Sequence, residues 1–391
     1  LKPETAGQLQ EAVEWAASEE KPLEVMGTGT KREVGRPSQH ELTLDMSAFK
    51  GVTMYEPEEL VLSARAATPR AEVEARLKEK GQEFAFEPPD LSGLLGSEDS
   101  GTLGGMISSN LGGPRRIKSG AVRDHFLGFS AVSGRGETFK SGGRVVKNVT
   151  GYDLPKILAG SWGTLAVMSD VTLKVLPAAE TESTLILHGL GGESATQAMS
   201  AALQSSCEVS SAAFYPEGLK EKSQTALRLE GIGPSVDYRF QQLAGLLSSF
   251  GEAERLEEEK SRAFWTEVRD VTCFANGTQK PVWRISTTPS EGHRVAASLV
   301  SECEARCYLD WGGGLIWCEM PDENRVQPDK VRSFLRVPGG HATLIRASRL
   351  VRASTEVFHP PAAEIARLTT EIKDAFDPLG ILNPGRMYAA N

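Results

Sequence analysis

Gly101-Thr102-Leu103-Gly104-Gly105-Met106-Ile107-Ser108-Ser109-Asn110-Leu111-Gly112-Gly113 is the stretch on which the fold turns. Two glycine pairs flank a small polar stretch, and Ser108, Ser109 and Asn110 set donors and acceptors beside accessible backbone. A plain surface loop would carry more charge and less Leu, Met and Ile, so we expect a loop that cradles a ligand. Glycine is dense around it. Of 39 glycines in the chain, 16 lie between Gly93 and Gly163, with no collagen period. That density costs backbone entropy, so the chain must turn sharply there or approach something closely.

A second glycine segment lies upstream, Gly27-Thr28-Gly29-Thr30-Lys31-Arg32-Glu33-Val34-Gly35, after a short apolar run at residues 23–26. It opens like G-x-G-x-x-G but has Arg32 in sixth place, and the P-loop pattern fails as well. Two readings stand: an ordinary turn, or a nest whose free amides bind phosphate oxygens. Gly120-Ala121-Val122-Arg123-Asp124 follows the main glycine stretch closely.

Around these segments, 391 residues imply two or three folding units. The net charge of −9 argues against a nucleic-acid binder, which needs a basic face. No apolar run is long enough for a transmembrane helix, and the start has no signal-peptide core. The five cysteines, Cys207, Cys273, Cys303, Cys307 and Cys318, are odd in number and absent from the glycine-rich half. We therefore expect a cytoplasmic protein without disulfides, trimmed at its N-terminus because it opens on Leu1. Cys303 and Cys307 are expected one turn apart on a helix, as plain thiols, and we expect no metal site.

Periodicity predicts a helix over 5–19 and strands at 23–26, 42–44, 52–55 and 60–64. Thr68 is expected to cap a helix that has Pro69 in its first position and runs to about Lys80. Residues 93–160 read as loop with short strands, including a hairpin at 126–140, and 164–175 is the clearest strand. After residue 177 the texture changes. Strands at 184–188, 227–231, 282–286 and 315–319 alternate with helices at 194–204 and 238–250, and 255–262 reads as a solvated helix face. An amphipathic helix is expected over 362–376, before Asn383-Pro384-Gly385-Arg386.

Taken in order, the GTGT loop, GTLGGMISSNLGGPRR, VKNVTGYDL (146–154), GSWGTLAV (160–167), VWRIS (282–286), DWGG (310–313), GGHAT (339–343) and NPGRMY (383–388) form a recognisable set. The chain resembles the FAD-linked oxidases of the vanillyl-alcohol oxidase / p-cresol methylhydroxylase (PCMH) type. Within them it resembles the GlcE-type FAD-binding subunits of bacterial glycolate oxidase. The resemblance is dense over 23–177 and at the C-terminus, and thin over 178–282. It implies an α+β fold: a two-subdomain PCMH-type FAD-binding domain (1–177), an α+β cap domain (178–345), and a C-terminal segment (346–391) returning to the first. By motif match, Gly27, Thr28, Gly29, Thr30, Lys31 and Gly35 would form the pyrophosphate loop. Thr102, Gly104, Gly105, Ser108, Ser109 and Asn110 would line the diphosphate and ribityl chain, with Gly120 and Asp124 near the ribityl or adenosine portion. Gly163, Ala166 and Val167 would take the adenine side, and Asn383 and Arg386 would approach the flavin ring.

Two departures from the family pattern shape the functional expectation. Residues 28–34 contain no His for covalent flavin attachment, so we expect noncovalent FAD. Catalytic 2-hydroxy-acid dehydrogenases of the superfamily carry a His-rich metal cluster, whereas the six His here are scattered. His341 is the candidate proton acceptor or flavin-edge contact, with a structural His as the alternative; Arg284 is the candidate carboxylate clamp, with an ion pair as the alternative. Arg115 and Arg116 read either as an anion or partner contact or as a solvated turn. Trp311 and the glycines after it read as a partner or flavin contact, or as core packing. The first expectation is an electron-relay or assembly subunit, partnered by a catalytic flavin subunit and an iron–sulfur subunit in a complex that oxidises glycolate. The others are a stand-alone 2-hydroxy-acid dehydrogenase using Arg284 and His341, and a flavin-free scaffold.

Overall fold

A computed structural model describes residues 1–143, 152–336 and 339–389; residues 146–151 of the VKNVTGYDL motif lie outside them. The first layer begins with the helix Ala6–Ser18. Thr5 caps it by accepting from the Gln8 amide, and Leu9, Val13 and Ala16 are its buried stripe. Strands Leu23–Met26 and Leu42–Asp45 pair in parallel beside it. The chain's end joins them: Leu382 bridges Leu23, the Leu23 amide donates to Ile381, and the Asn383 amide donates to Leu23.

Five antiparallel strands make the second layer, in the order Val52–Glu56, Val61–Arg65, Ala166–Lys174, Phe126–Ser133, Thr138–Gly142. Ala166–Lys174 is the central strand, as its β-branched, alternating sequence predicts. The third unit is one antiparallel sheet of eight strands. Its order is Ala253–Leu256, Thr181–His188, Gln224–Gly231, Ser211–Tyr215, Arg306–Asp310, Leu315–Glu319, Val282–Ser286, His341–Arg346. Helices Gly192–Gln204, Gly233–Leu246, Glu258–Arg269 and Gly292–Cys303 pack on it. The architecture is α+β, with the C-terminal segment back on the first layer.

Several local expectations are corrected. The stretch read as a ligand-cradling loop is partly the helix Leu103–Ser109. Thr102 caps it by accepting from the Gly105 amide, Leu103, Met106 and Ile107 are buried in the core, and Asn110 ends it in the left-handed conformation. The apolar residues that argued against a surface loop are there because they pack. Further short helices (Ser92–Leu95, Arg116–Ser119, Val122–His125, Leu154–Leu158) occupy the region read as loop and strand. Thr68 does not cap the helix after it, which runs Arg70–Lys78; its hydroxyl donates instead to Arg65 and Gly51 carbonyls. Cys303 ends a helix whereas Cys307 lies on a strand opposite Cys318, because Glu304 takes the left-handed conformation between them. All five cysteines are free. Arg255 belongs to an edge strand, and only residues 258–262 of the charged run are helical, as the start of Glu258–Arg269.

Arg115 is neither a free anion contact nor a solvated turn. It is buried and pairs with Glu83 and Glu230, each at 2.6 Å. Arg228, fully buried on a strand of the eight-stranded sheet, donates both terminal nitrogens to Glu87 at 2.8 and 2.6 Å. This ion cluster joins the eight-stranded sheet to the segments on either side of the Leu103–Ser109 helix. Trp311 adds a second link, since its indole N–H donates to the Gly113 carbonyl at 2.9 Å. Burial works against the Glu87 carboxylate, but Arg228 and Arg115 outweigh it and hold the pKa at about 2. A depressed carboxylate pKa adds stability that is present above the unfolded value and lost as pH falls towards 2. Glu87→Gln should therefore cost about 3–5 kcal/mol at neutral pH, since it removes the carboxylate 2.6 Å from Arg228 and leaves that buried guanidinium only Glu230, at 3.6 Å, as an ion-pair partner. Urea melts at pH 7 and pH 4 check this: the loss should be smaller at the lower pH.

Candidate functional site

The pocket of interest lies between the first two layers, and four segments that are distant in sequence build it. Residues 24–32 comprise the first strand from Glu24 on and the turn after it. The helix Leu103–Ser109 contributes Gly104, Gly105 and Ser108, with its cap Thr102. Residues 162–168 contribute Trp162, Gly163, Ala166 and Met168, and the C-terminal return contributes Asn383 and Arg386. Met46, Ala66 and Ala67 form an apolar shelf.

Small residues are needed where these segments meet. A Cβ on Gly27 would stand 2.9 Å from the Thr102 hydroxyl. A Cβ on Gly163, whose φ is +73°, would stand 2.6 Å from Asn383 Nδ2. Asn383 is the clasp. Its side-chain oxygen accepts from the Val25 amide and its side-chain nitrogen donates to the Trp162 carbonyl, both at 2.9 Å. Behind it the Asp377 carboxylate takes the amides of Ile381 and Leu382 and the Lys373 ammonium, which also donates to the Thr164 carbonyl. One buried ion pair thus fixes the C-terminal turn and the loop that presents Trp162. Trp162 and Asn383, which both line the cavity, have positive φ, so backbone strain sits on its wall.

The electrostatics suit an anion with apolar ends. The amides of Thr28, Gly29, Thr30 and Lys31 have no acceptor among the described residues, which leaves an open nest. Arg386 donates to the Lys31 carbonyl at 2.7 Å and lies 5.7 Å from the Trp162 ring centre. Its Nε is buried without a partner, and burial lowers its pKa to about 10. Burial also lowers the Lys31 ammonium to about 8, with Arg70 adding to the effect. Arg32 is not free in the same way, since it pairs with the buried Glu24.

Of the residues assigned by motif, the pocket brings together Gly27, Thr28, Gly29, Thr30, Lys31, Thr102, Gly104, Gly105, Ser108, Gly163, Ala166, Asn383 and Arg386. Gly35, Ser109, Asn110, Gly120, Asp124 and Val167 are not among its lining residues. Their contacts are structural. Asp124 accepts from the Ala121 amide beside Gly120, and Gly35 lets the chain pass the Arg386 carbonyl. Asn110 accepts from the Arg123 amide, and Ser109 donates to the Met106 carbonyl. The sequence reading missed Glu24, Met46, Ala66, Ala67, Trp162 and Met168. Trp162 sat inside a quoted motif and was the one detectable signal among them.

Neither catalytic candidate lines this pocket. Arg284 is only 9% exposed, makes no hydrogen bond among the described residues, and lies 4.9 Å from the centre of the Trp311 ring. Arg116 stacks on the same ring at 4.5 Å. Burial, with the Arg116 charge nearby, lowers Arg284 to about 10. His341 opens the edge strand next to that of Arg284 and is exposed. Trp311 itself is core packing, 5% exposed and bonded to Gly113. Among the described residues no group of three or more His, Cys, Asp and Glu side chains is placed to hold a metal ion.

A nest of free amides, two desolvated cations and an apolar shelf fit a dinucleotide such as FAD, whose diphosphate needs the first two and whose rings need the last. Residues 1–142 match the family of FAD binding domains. Over 98% of the chain the fold matches a solved structure of alkyldihydroxyacetonephosphate synthase, with TM-score 0.70 at 15% identity and 76% of that chain covered. The first gives an FAD-binding domain and the second the fold alone; with the whole-length relatives that follow, they define an FAD-dependent oxidoreductase. Whole-length relatives are more specific. Glycolate oxidase subunit GlcE of Escherichia coli (strain K12) is 32% identical over 97% of both chains. Glycolate oxidase subunit GlcD of Bacillus subtilis (strain 168) is 25% identical over 94% of this chain and 84% of its own. The chain belongs to the GlcE family of FAD-binding proteins.

Two outcomes follow for the cofactor. Gly163→Ala must displace the Asn383 amide and strain the backbone, so the purified variant should retain less than half the wild-type flavin, measured by absorbance after acid release. A bound diphosphate raises the Lys31 pKa above its free value of about 8, so the protonated form binds better. FAD affinity should therefore fall by about tenfold as pH rises through 8 and beyond, and this fall should be absent in Lys31→Met. Fluorescence titrations at pH 7 and pH 10 measure it.

Proposed function

We propose that the chain is the FAD-binding subunit of a glycolate oxidase complex, which converts glycolate to glyoxylate and passes the electrons through flavin and iron–sulfur partner subunits. The observation that carries this reading is likeness to GlcE along 97% of both chains, together with a dinucleotide pocket closed by the C-terminal return. FAD is held noncovalently. The amide nest of Thr28–Lys31 and the cations Lys31 and Arg386 take its diphosphate; Asn383 and Trp162 wall its other end. Bound there, FAD supplies the capacity to take up and release electrons. The protein's own share is to hold it, shield it from water and set the surrounding charge.

The role within the complex is electron relay or assembly. His341 is exposed and Arg284 lies outside the cofactor pocket, which favours substrate oxidation in a partner subunit. The protein acts in the cytoplasm, with any membrane attachment supplied by partner chains; among the described residues no helix is long and apolar enough to cross a membrane. One observation favours a second reading, a hydroxy-acid site on this chain: a buried guanidinium without a hydrogen-bond partner, Arg284, is able to clamp a carboxylate. Asp310, fully buried and pushed up to about 7 by that burial, is available near it as a titrating group.

Anaerobic mixing with glycolate separates the two readings. The isolated chain loaded with FAD should show no bleaching of its flavin band within minutes, whereas the co-purified complex should bleach. Fast bleaching by the isolated chain, abolished in Arg284→Ala, would establish the second reading instead.

A further inference from the structure

The C-terminal helix Ala363–Phe376 has an apolar stripe that the fold leaves uncovered. Ile365 and Leu368 are 55% and 52% exposed, and Lys373 is the helix's one buried residue. With Ile372 they follow helical spacing along one edge. A groove adjoins that edge, lined by Ile157, Leu165, Thr369, Ile372, Met387 and Tyr388. A helix this amphipathic normally buries its stripe, and a contiguous exposed apolar patch marks a contact surface.

Three observations say what covers it. The groove and the cofactor pocket share a wall. Residues 160–165 and 386–388 form its two sides, with Trp162, Gly163 and Arg386 facing the pocket and Leu165, Met387 and Tyr388 facing the groove. An aromatic row crosses that wall: Trp162 meets Phe358 edge-on at 5.4 Å, and Phe358 meets Tyr388 at 6.3 Å. Electron exchange between proteins weakens steeply with distance, so an apolar surface on the far side of a wall made by these same two segments suits a protein that exchanges electrons with the bound cofactor. Charge narrows the choice. On a chain of net charge −9, Glu364 and Glu371, seven residues apart, flank the stripe on one side; Glu371 lies 3.7 Å from Arg367, whereas Glu364 has no ion pair among the described residues. A second copy of this chain would bring like charges together, which disfavours self-association here.

We propose that this groove and helix edge are the docking face for a partner chain that carries a redox centre and presents an apolar ridge flanked by Lys or Arg. The inference rests on the subunit reading above and adds the surface that serves it. The test uses the full chain co-expressed with the redox subunits of its complex. A photo-crosslinking benzoylphenylalanine replaces Leu368, and the captured chain is identified by mass spectrometry. The expected product joins this chain to a redox-centre subunit. In parallel, Leu368→Arg and the double variant Glu364→Lys/Glu371→Lys should lower co-purified redox subunit at least tenfold, with flavin per chain unchanged. An intact complex with no product from position 368, or with a product joining two copies of this chain, overturns the docking face and leaves the subunit reading standing. A wild-type chain that never co-purifies with a redox subunit overturns both.

Discussion

The buried pair Lys373–Asp377, 2.5 Å apart, is the contact on which the site depends. Asp377 spends its remaining acceptor capacity on the amides of Ile381 and Leu382, and Lys373 spends its spare protons on the carbonyls of Thr164 and Leu382. A charge pair taken out of water is tolerable only when such bonds complete it. Here they hold two chain segments more than two hundred residues apart in one geometry. Leu382 then bridges Leu23, and Asn383 ties Val25 to Trp162. Without that return the pocket would have an amide nest and a shelf but no closing wall.

The eight-stranded sheet is attached at two places near the Gly101–Gly113 stretch: the cluster of Glu83, Glu87, Arg115, Arg228 and Glu230, and the Trp311 bond to Gly113. Both are directional contacts between buried groups, so they fix the sheet's position more sharply than apolar contact alone. They lie on the loop that precedes or follows the Leu103–Ser109 helix, whose other side faces the cofactor. The pocket is thereby framed by rigid elements, with the glycines placed where segments cross.

Much of this was legible in the residues. The Ala166–Lys174 strand announced itself by alternating β-branched residues, and the first helix by its apolar spacing. The pocket loops were readable because small residues with little charge leave few other purposes, and the family likeness then ordered them. The failures have physical causes. Leu103–Ser109 was read as a loop because two glycines hid a helical stripe, Leu103, Met106 and Ile107, whose burial outweighs the propensity cost. Gly120, Asp124, Asn110 and Ser109 lay next to site residues in sequence but spend their polar groups on local turns. Arg115 could not be assigned, because its three carboxylate partners come from distant segments. The shelf of Met46, Ala66 and Ala67 carries no chemical signature at all.

The central claim is that four separated segments close on one FAD molecule. Hydrogen–deuterium exchange with and without FAD measures it directly on the whole chain. The account predicts that FAD slows exchange together in residues 27–31, 103–109, 162–166 and 383–386, the last through the Asn383 clasp. Protection confined to the first two segments, with the C-terminal return exchanging as fast as in the FAD-free chain, would contradict it.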